Sequence, residues 1–584
     1  MKNNTLSFNS VTDFFQKIED TQSRNEKTKI LSELFNKAGE NEIEALIYIS
    51  LGRTSPMYIK EDFNIGIRSI LNIYSNIFNI ESKIINKKFS EIGDIGELFI
   101  NINSHKTYEE ISLISVFNIL KKITQIKGNK STLAKHDILR DLYKKVTPIG
   151  GKFLSRILVG DLRLGFSDRT ILDVISIILS GDKNDRKSIE GVYFKCSDLG
   201  KVAKIAIFHK YMLDSISIEP SIPLFSKLVD RPKNIDSIFK RFKDVYVQPK
   251  YDGMRCQIHI FDNKVKLFSR NLEDITDMYP DLVELLNKFP VENVIFDSEI
   301  IGFDFKSNKF LSFQSTAKRK RKYNIADTIK DIPISVYIFD LIYLNGQSFI
   351  DTKLKERIEI LSDLFRTVNL KNISVSETTL VSNVSNLEKI FKRYIEVGLE
   401  GVVVKNPDSP YTPGIRNADW LKIKRDSYTG VADTIDVVIM GYYYGKGVRT
   451  KFGIGAILVG IYNNKKNRFE SICKIGTGFK DYDLINLKKS LDKIKTIKVP
   501  VTYFVNKNLY PDIWVEPKYV IVVRSDEITR SKVHTAGLDH NKYGYALRFP
   551  RFISFREDKG IYDATTLDEV EKLYSMQLNG DFKR

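Results

Sequence analysis

Val245-Tyr-Val-Gln-Pro-Lys-Tyr-Asp-Gly-Met-Arg255 reads as a strand, a corner and the start of a second strand. An apolar run leads into Lys250. Asp252-Gly253 marks a tight turn, which glycine permits because it tolerates positive φ. Met254-Arg-Cys-Gln-Ile-His-Ile-Phe261 then alternates as a half-buried strand does. A lysine held at such a corner, with an arginine five positions on, suits attack on a phosphate. The pattern is short, and a surface hairpin could carry it by chance, so the neighbouring sequence has to decide.

Outward from this corner, strands alternate with helices from about residue 221, after Pro220 and Pro223, to about 428, which predicts an α+β region. Phe268-Ser-Arg-Asn271 ends the next strand and puts Arg270 near the same sheet edge. Val294-Ile-Phe-Asp-Ser-Glu-Ile-Ile301 carries Asp297 and Glu299 on one face of a buried strand. Two carboxylates there are costly without a cation partner. Val336 to Gly346 is a further strand and contains Phe339. Gly398-Leu-Glu-Gly-Val-Val-Val-Lys405 places Glu400 and Lys405 at either end of a valine run, on opposite faces by strict alternation. Pro413-Gly-Ile-Arg416 follows, then Trp420-Leu-Lys-Ile-Lys424 with Lys422 and Lys424 on one face. The Lys318–Lys322 block reads as a solvated loop that nearby DNA would use.

Residues 1 to about 220 read as all-α. Phe14, Phe15, Ile18, Ile30, Leu31, Leu34 and Phe35 recur at three and four spacing. Phe14-Phe15 reads as helix core, with a docking peptide for a sliding clamp as the alternative. Gly93-Asp-Ile-Gly-Glu97, Pro148-Ile-Gly-Gly-Lys152 and Gly160–Gly165 are either helix–helix turns or backbone openings for a phosphate, with Ser167 as a helix N-cap. Residues 429 to 584 read as short strands between glycine turns, which fits a five-stranded OB-type barrel. Its glycine turns Gly445–Arg449 and Gly476–Lys480 are basic. They suit DNA-backbone contacts or plain hairpins, and neither has Walker spacing.

The whole composition narrows the classes. A chain of 584 residues suggests roughly three or four domains. A hydrophobic content of 42% supports several cores rather than disorder. The net charge of +18 points to a polyanionic partner, with a Lys-, Asn- and Ile-rich genome composition as the bland alternative. Cys196, Cys256 and Cys473 form no paired motif, so neither a zinc finger nor a disulfide framework is expected. The histidines lack metal-ligand spacing, and His534 and His540 read as solvated loop residues. No apolar run reaches the roughly 18 residues needed to span a bilayer. The expectation is a soluble protein with no membrane association: cytoplasmic in a prokaryotic source, nuclear in a eukaryotic one.

Lys-Tyr-Asp-Gly-Met-Arg255 resembles the attachment motif of covalent nucleotidyltransferases: ATP-dependent DNA ligases, RNA ligases and capping enzymes. The ordered set Ser-Arg-Asn, Asp-Ser-Glu, Tyr-Ile-Phe-Asp, Glu-Gly-Val-Val-Val-Lys and Trp-Leu-Lys-Ile-Lys is similar to that of ATP-dependent DNA ligases of archaeal and eukaryotic replicative type. Ile157–Phe166, and Phe14 through Leu31, resemble the helical DNA-binding domain that the other two families lack. The resemblance implies a multidomain chain: an all-α DNA-binding domain (1–220), an α+β adenylation domain (221–428) and a C-terminal OB-fold (429–584).

The resemblance further implies a lysyl–AMP intermediate on Lys250, transfer of AMP to a 5′-phosphate, and attack by the 3′-hydroxyl. Phe339 would stack on adenine, near Gln248, which stands where the family often has Glu. Arg255, Arg270, Arg416, Lys422 and Lys424 would hold ribose and phosphates. Glu299 would lie at the nucleotide and, with Glu400, hold Mg²⁺, with Mn²⁺ as a substitute. The segment Arg548-Phe-Pro-Arg-Phe-Ile-Ser-Phe-Arg-Glu-Asp-Lys559 would meet pyrophosphate through Arg548, Arg551, Arg556 and Lys559. The attacking amine must be neutral, and Arg255, Lys422 and a metal are its expected neighbours. The implied partner is nicked double-stranded DNA, bound by a monomer in a salt-dependent, sequence-independent way. Replication, repair, recombination and cell division are the processes such an enzyme serves. The alternatives are a capping guanylyltransferase, an RNA ligase, or a DNA-binding protein with a dead catalytic domain.

Overall fold

The computed structural model describes residues 5–579 except 104–107, 312, 320–324, 367, 369, 425–433 and 446. His105, Lys320 to Lys322, Lys446 and the 428/429 boundary therefore lie outside the described residues. Two compact units divide the chain, 1–423 and 424–584.

The first unit opens with helices. Phe8–Asp20, Arg24–Phe35 and Glu40–Ser50 follow the apolar periodicity, and Phe14 and Phe15 are both buried in their shared core. Gly93 and Asp94 make the expected helix–helix turn between Ser82–Ile92 and Ile95–Ile102, but Gly96 of that stretch, and Gly150 and Gly151 in Pro148–Leu158, fall inside helices. The reason is close packing. A Cβ on Gly151 would lie 2.0 Å from the Phe99 ring, and one on Gly96 would lie 2.7 Å from the Lys152 carbonyl. Lys152 and Arg156 are correspondingly buried, the former paired with Glu19 and Glu97, the latter with Glu19 and Asp94. Ser167 takes the N-cap position of Asp168–Ser180, but its side chain makes no cap bond.

Two sheets follow in the same unit. One runs Leu228–Asp230, Arg416–Lys424, Gly401–Lys405, Val245–Lys250, Thr379–Val381. The other runs Lys264–Ser269, Met254–Phe261, Val294–Asp304, Ile334–Leu344, Gln347–Ser348, with two short strands beside it. Its β-branched and aromatic face packs on Pro280–Leu286 and Leu354–Arg366. A smaller apolar cluster joins the two sheets through Ile295 and Ile342 on one and Trp420 on the other. The expected solvated loop at Lys318 is only partly that. Lys318 is exposed, but Arg319 is buried, bonded to both Asp281 oxygens at 2.6 Å and set over the Tyr279 ring.

Among the described residues the second unit has five strands of five or more residues in its main sheet, in the order Arg468–Ile475, Ala456–Asn463, Thr434–Tyr443, Val520–Arg524, Arg551–Phe555. Three shorter strands extend that sheet. The Phe552 amide donates to the Thr477 carbonyl at 3.0 Å, which turns the last strand back towards the first, as a barrel requires. Of the basic glycine turns, Gly476–Lys480 packs on this strand: a Cβ on Gly478 would meet the Phe552 carbonyl at 2.3 Å. Arg449 donates to the Gly455 carbonyl within its own turn. His534 is half-buried rather than free in a loop, and burial lowers its pKa to about 4. The three cysteines are free and buried. Among the described residues no helix is long and apolar enough to cross a membrane.

Candidate active site

Lys250 ends a strand of one sheet, and Met254, four residues on, begins a strand of the other. The corner between them is therefore also the junction of the two sheets. Tyr251 anchors it, buried and stacked on Tyr337 with ring centroids 4.2 Å apart. Gly253 is needed for a reason other than the one its turn chemistry suggests. Its φ is not in the positive range, but a Cβ there would lie 2.4 Å from the Ile300 carbonyl and 3.0 Å from Glu299 Cγ. The glycine lets the corner lie directly on the strand that bears Glu299.

The Lys250 ammonium meets Glu400 at 2.5 Å, and the Glu400 amide donates to the Lys250 carbonyl at 3.0 Å. Both side chains are about a fifth exposed, at 21% and 23%. The expected cationic surround is thus replaced at closest range by a carboxylate. Arg255 is directed elsewhere. It stands opposite Glu299 in the antiparallel register, but its guanidinium reaches diagonally to Asp297, at 3.0 and 2.6 Å. It also donates to the Lys227 carbonyl at 2.7 Å. Asp297 is fully buried and accepts a further bond from the Tyr411 hydroxyl at 2.7 Å. The cation that the Asp297–Glu299 strand was expected to need is therefore Arg255.

Glu299 is left to a different balance. Burial pushes its pKa up to about 7; Lys250 and Arg255 oppose that shift, while Asp297 and Glu400 add to it. Arg270, just beyond its strand and only partly covered, has its pKa lowered by that partial burial and then by Arg255 and Arg416. Those three arginines and Glu299 thus share one electrostatic neighbourhood. Arg416 is exposed at the start of its strand, which also carries Lys422 and Lys424, both half-buried.

Phe339 is partly buried between these groups. The Arg255 guanidinium lies over its ring at 5.4 Å and Trp420 meets it edge-on at 6.2 Å. The Phe339 carbonyl accepts from Gln248 at 3.4 Å and Lys405 at 3.3 Å. Gln248 also donates to Thr378 at 2.9 Å, so its amide is held inside the fold.

Two lysines carry more of the site than their sequence signals suggest. Lys405 is buried with its ammonium 3.8 Å from the Trp420 ring centre and 4.7 Å from that of Phe339. Burial lowers its pKa to about 7, against the pull of Asp340 and Asp297. Lys227, absent from every motif, is buried and bonded to the Pro410 carbonyl and Thr412, and burial lowers its pKa to about 8. A lone lysine in the short run Ser226-Lys-Leu-Val was its only signal.

Among the described residues no group of three or more His, Cys, Asp or Glu is placed to hold a metal. Glu299 and Glu400, both beside Lys250, fit the lesser demand of Mg²⁺, which takes one or two carboxylates and completes its shell with water and phosphate oxygens. In the second unit each of the four expected pyrophosphate ligands has an acidic partner. Arg548 pairs with Glu527 at 2.5 Å and Arg551 with Asp526 at 3.3 Å. Arg556 and Lys559 share Asp436, at 3.2 and 2.6 Å.

Comparison with known proteins covers the length of the chain. Residues 7–176 match the DNA ligase N terminus family, 226–424 the ATP dependent DNA ligase domain, and 450–559 the ATP dependent DNA ligase C terminal region. The chain is 40% identical over 577 residues to a probable DNA ligase of Dictyoglomus turgidum, covering 98% of each protein. It is 34% identical over 581 residues to DNA ligase 1 of Methanosarcina mazei, covering 97% of this chain and 99% of that one. Among solved structures, Pmar-Lig_PreS3 aligns with a TM-score of 0.57 at 19% identity, over 94% of this chain and 99% of that one, a likeness of fold.

Proposed function

Because the chain belongs to the ATP-dependent DNA ligase family, we propose that it seals nicks in duplex DNA with an adenylyl group carried on Lys250. The observation that carries this reading is the placement of the Lys250 amine, partly exposed at the junction of two sheets, with Glu400 at 2.5 Å and the Glu299 strand against its corner.

In the first step the deprotonated Lys250 Nζ attacks the α-phosphorus of ATP. A P–N bond forms, the α–β bridging P–O bond breaks, and pyrophosphate leaves. In the second, an oxygen of the nick's 5′-phosphate attacks the same phosphorus, the P–N bond breaks and Lys250 regains a proton. In the third, the 3′-hydroxyl attacks the activated 5′-phosphate, giving up its proton, and AMP departs.

The chain's residues divide this work. Phe339 offers a ring face to adenine, with Gln248 beside it. Arg270, Arg416, Lys422 and Lys424 hold ribose and phosphates. Arg255, already committed to Asp297, shapes the pocket and supplies positive potential instead of an open fork. Mg²⁺ held by Glu299 and Glu400 would neutralise charge on the phosphate and compete with the Lys250 ammonium for Glu400. Arg548 and Arg551 exchange partly exposed carboxylates for pyrophosphate, a small loss because such pairs contribute little. Arg556 and Lys559 would have to leave Asp436, which is buried and costlier to strip of its partners.

The test is incubation with α-labelled ATP and Mg²⁺, followed by nicked duplex DNA. Wild type takes label on Lys250 and seals the nick, whereas Lys250→Ala does neither. Label on another side chain, or sealing by the alanine variant, overturns the reading.

A further inference from the structure

The helical region touches the nucleotide-site sheet through Phe194, in the helix Arg186–Cys196. Its ring lies against Gly414, two residues before Arg416. Gly414 has φ +67°, and a Cβ there would lie 2.5 Å from the Phe194 ring. Phe194 also packs on Phe225, with centroids 4.9 Å apart. Backbone bonds stitch the three together: the Phe225 amide donates to the Phe194 carbonyl at 2.9 Å, and the Gly414 amide to the Phe225 carbonyl at 3.2 Å. Next along, the Leu228 amide donates to the Ile415 carbonyl at 3.1 Å, and Leu228 stands beside Arg416 where the parallel pairing begins. From the other side, Tyr193 packs on Phe225 at 5.0 Å and donates to Asp168 at 2.6 Å. Asp168 opens the helix that follows the Gly160–Phe166 loop. A continuous line of contacts therefore runs from that loop to the turn bearing Arg416.

We infer that Phe194 is a positioning residue for Arg416. The turn before Arg416 contains a left-handed glycine with no side chain of its own to fix it, so its shape depends on what packs against it. Phe194 is what packs there, and it belongs to a different region from the nucleotide pocket. The hold on ATP therefore depends on an aromatic ring of the helical region. The inference rests on Arg416 binding the nucleotide, as proposed above.

The experiment measures Lys250 labelling by α-labelled ATP, without DNA, across ATP concentrations, in full-length Phe194→Ala, Phe194→Leu and Phe78→Ala, each checked by circular dichroism. Phe78 packs in the helical core beside Tyr74 and Phe99 and serves as the control for general loosening. Phe194→Ala should raise the half-saturating ATP concentration for labelling about tenfold with the maximal labelling rate held within about twofold, well short of the roughly 10²-fold that a 1 Å misplacement can cost. Phe194→Leu should fall between, and Phe78→Ala should keep the wild-type half-saturation. A wild-type half-saturation in either folded Phe194 variant overturns the inference; if the alanine variant does not fold, the leucine variant decides. Arg416→Ala, run alongside, must itself raise the half-saturating ATP: a wild-type value there sinks the reading of Arg416, and a wild type that takes no label sinks that of Lys250, so the failures are distinct.

Discussion

Replacing Gly253 with alanine tests whether catalysis depends on how closely the lysine corner lies on the Glu299 strand. The added Cβ would sit 2.4 Å from the Ile300 carbonyl oxygen and 3.0 Å from Glu299 Cγ. Carbon–oxygen contacts settle at about 3.3–3.6 Å, so corner and strand must part by roughly 1 Å. The obstacle is backbone in the middle of a paired strand, which cannot swing aside as a side-chain tip could. Overpacking of this kind costs about 1–3 kcal/mol in stability. Its larger effect falls on chemistry, since a shift of about 1 Å between reacting groups costs up to roughly 10²-fold in rate. The assay is single-turnover labelling of Lys250 with α-labelled ATP at saturating ATP and Mg²⁺, alongside thermal unfolding. The expected result is a rate lower by one to two orders of magnitude, on the order of the effect just given, in a protein that still folds. Wild-type labelling and unchanged unfolding would refute the close-approach argument and return Gly253 to a mere turn residue.

Asp297→Asn should destabilise the first unit by about 3–5 kcal/mol, because it leaves the buried Arg255 guanidinium without its countercharge. The double variant Arg255→Met/Asp297→Leu should recover much of that loss in urea unfolding, and no recovery would argue against a desolvation origin. Glu299 should make stability fall as pH rises from about 4.5 to about 7, since within that window the folded protein holds a proton the unfolded chain has released. Thermal melts in a chelator, with Glu299→Gln flattening the slope, check the sign. Gly151→Ala should force apart the helices Ile95–Ile102 and Pro148–Leu158, because its Cβ would overlap the Phe99 ring at 2.0 Å. Nicked-duplex binding should weaken while Lys250 labelling without DNA persists, and equal loss of both would show that the helical region does not fail separately.

What could be read from the sequence was what local chemistry determines. The Lys250 corner, the alternating strands and the helices at Phe8–Asp20 and Arg24–Phe35 each follow from residues near in sequence, so periodicity and turn signals found them. The misreadings share a cause: a partner far along the chain. Gly151 looked like a turn residue because nothing near it shows Phe99, 52 positions earlier, occupying the space a Cβ would take. Arg319 looked solvated within a run of cations because Asp281 and Tyr279 lie some forty positions back. Arg255 was legible as important, yet its choice of Asp297 over the directly opposed Glu299 depends on a diagonal reach across two strands that no spacing rule specifies. That choice settles how charge is distributed at the corner. With Arg255 given to Asp297, Glu299 remains a carboxyl whose pKa is pushed to about 7, and Lys405 and Lys227 are lysines lowered to about 7 and about 8 beside the same aromatic platform. A fold seeking only stability would have filled these positions with apolar residues or closed ion pairs. Groups held this far from their ordinary ionisation, linked through Arg255 and the Phe339–Trp420 platform, are what a functional site gathers and a purely structural core does not.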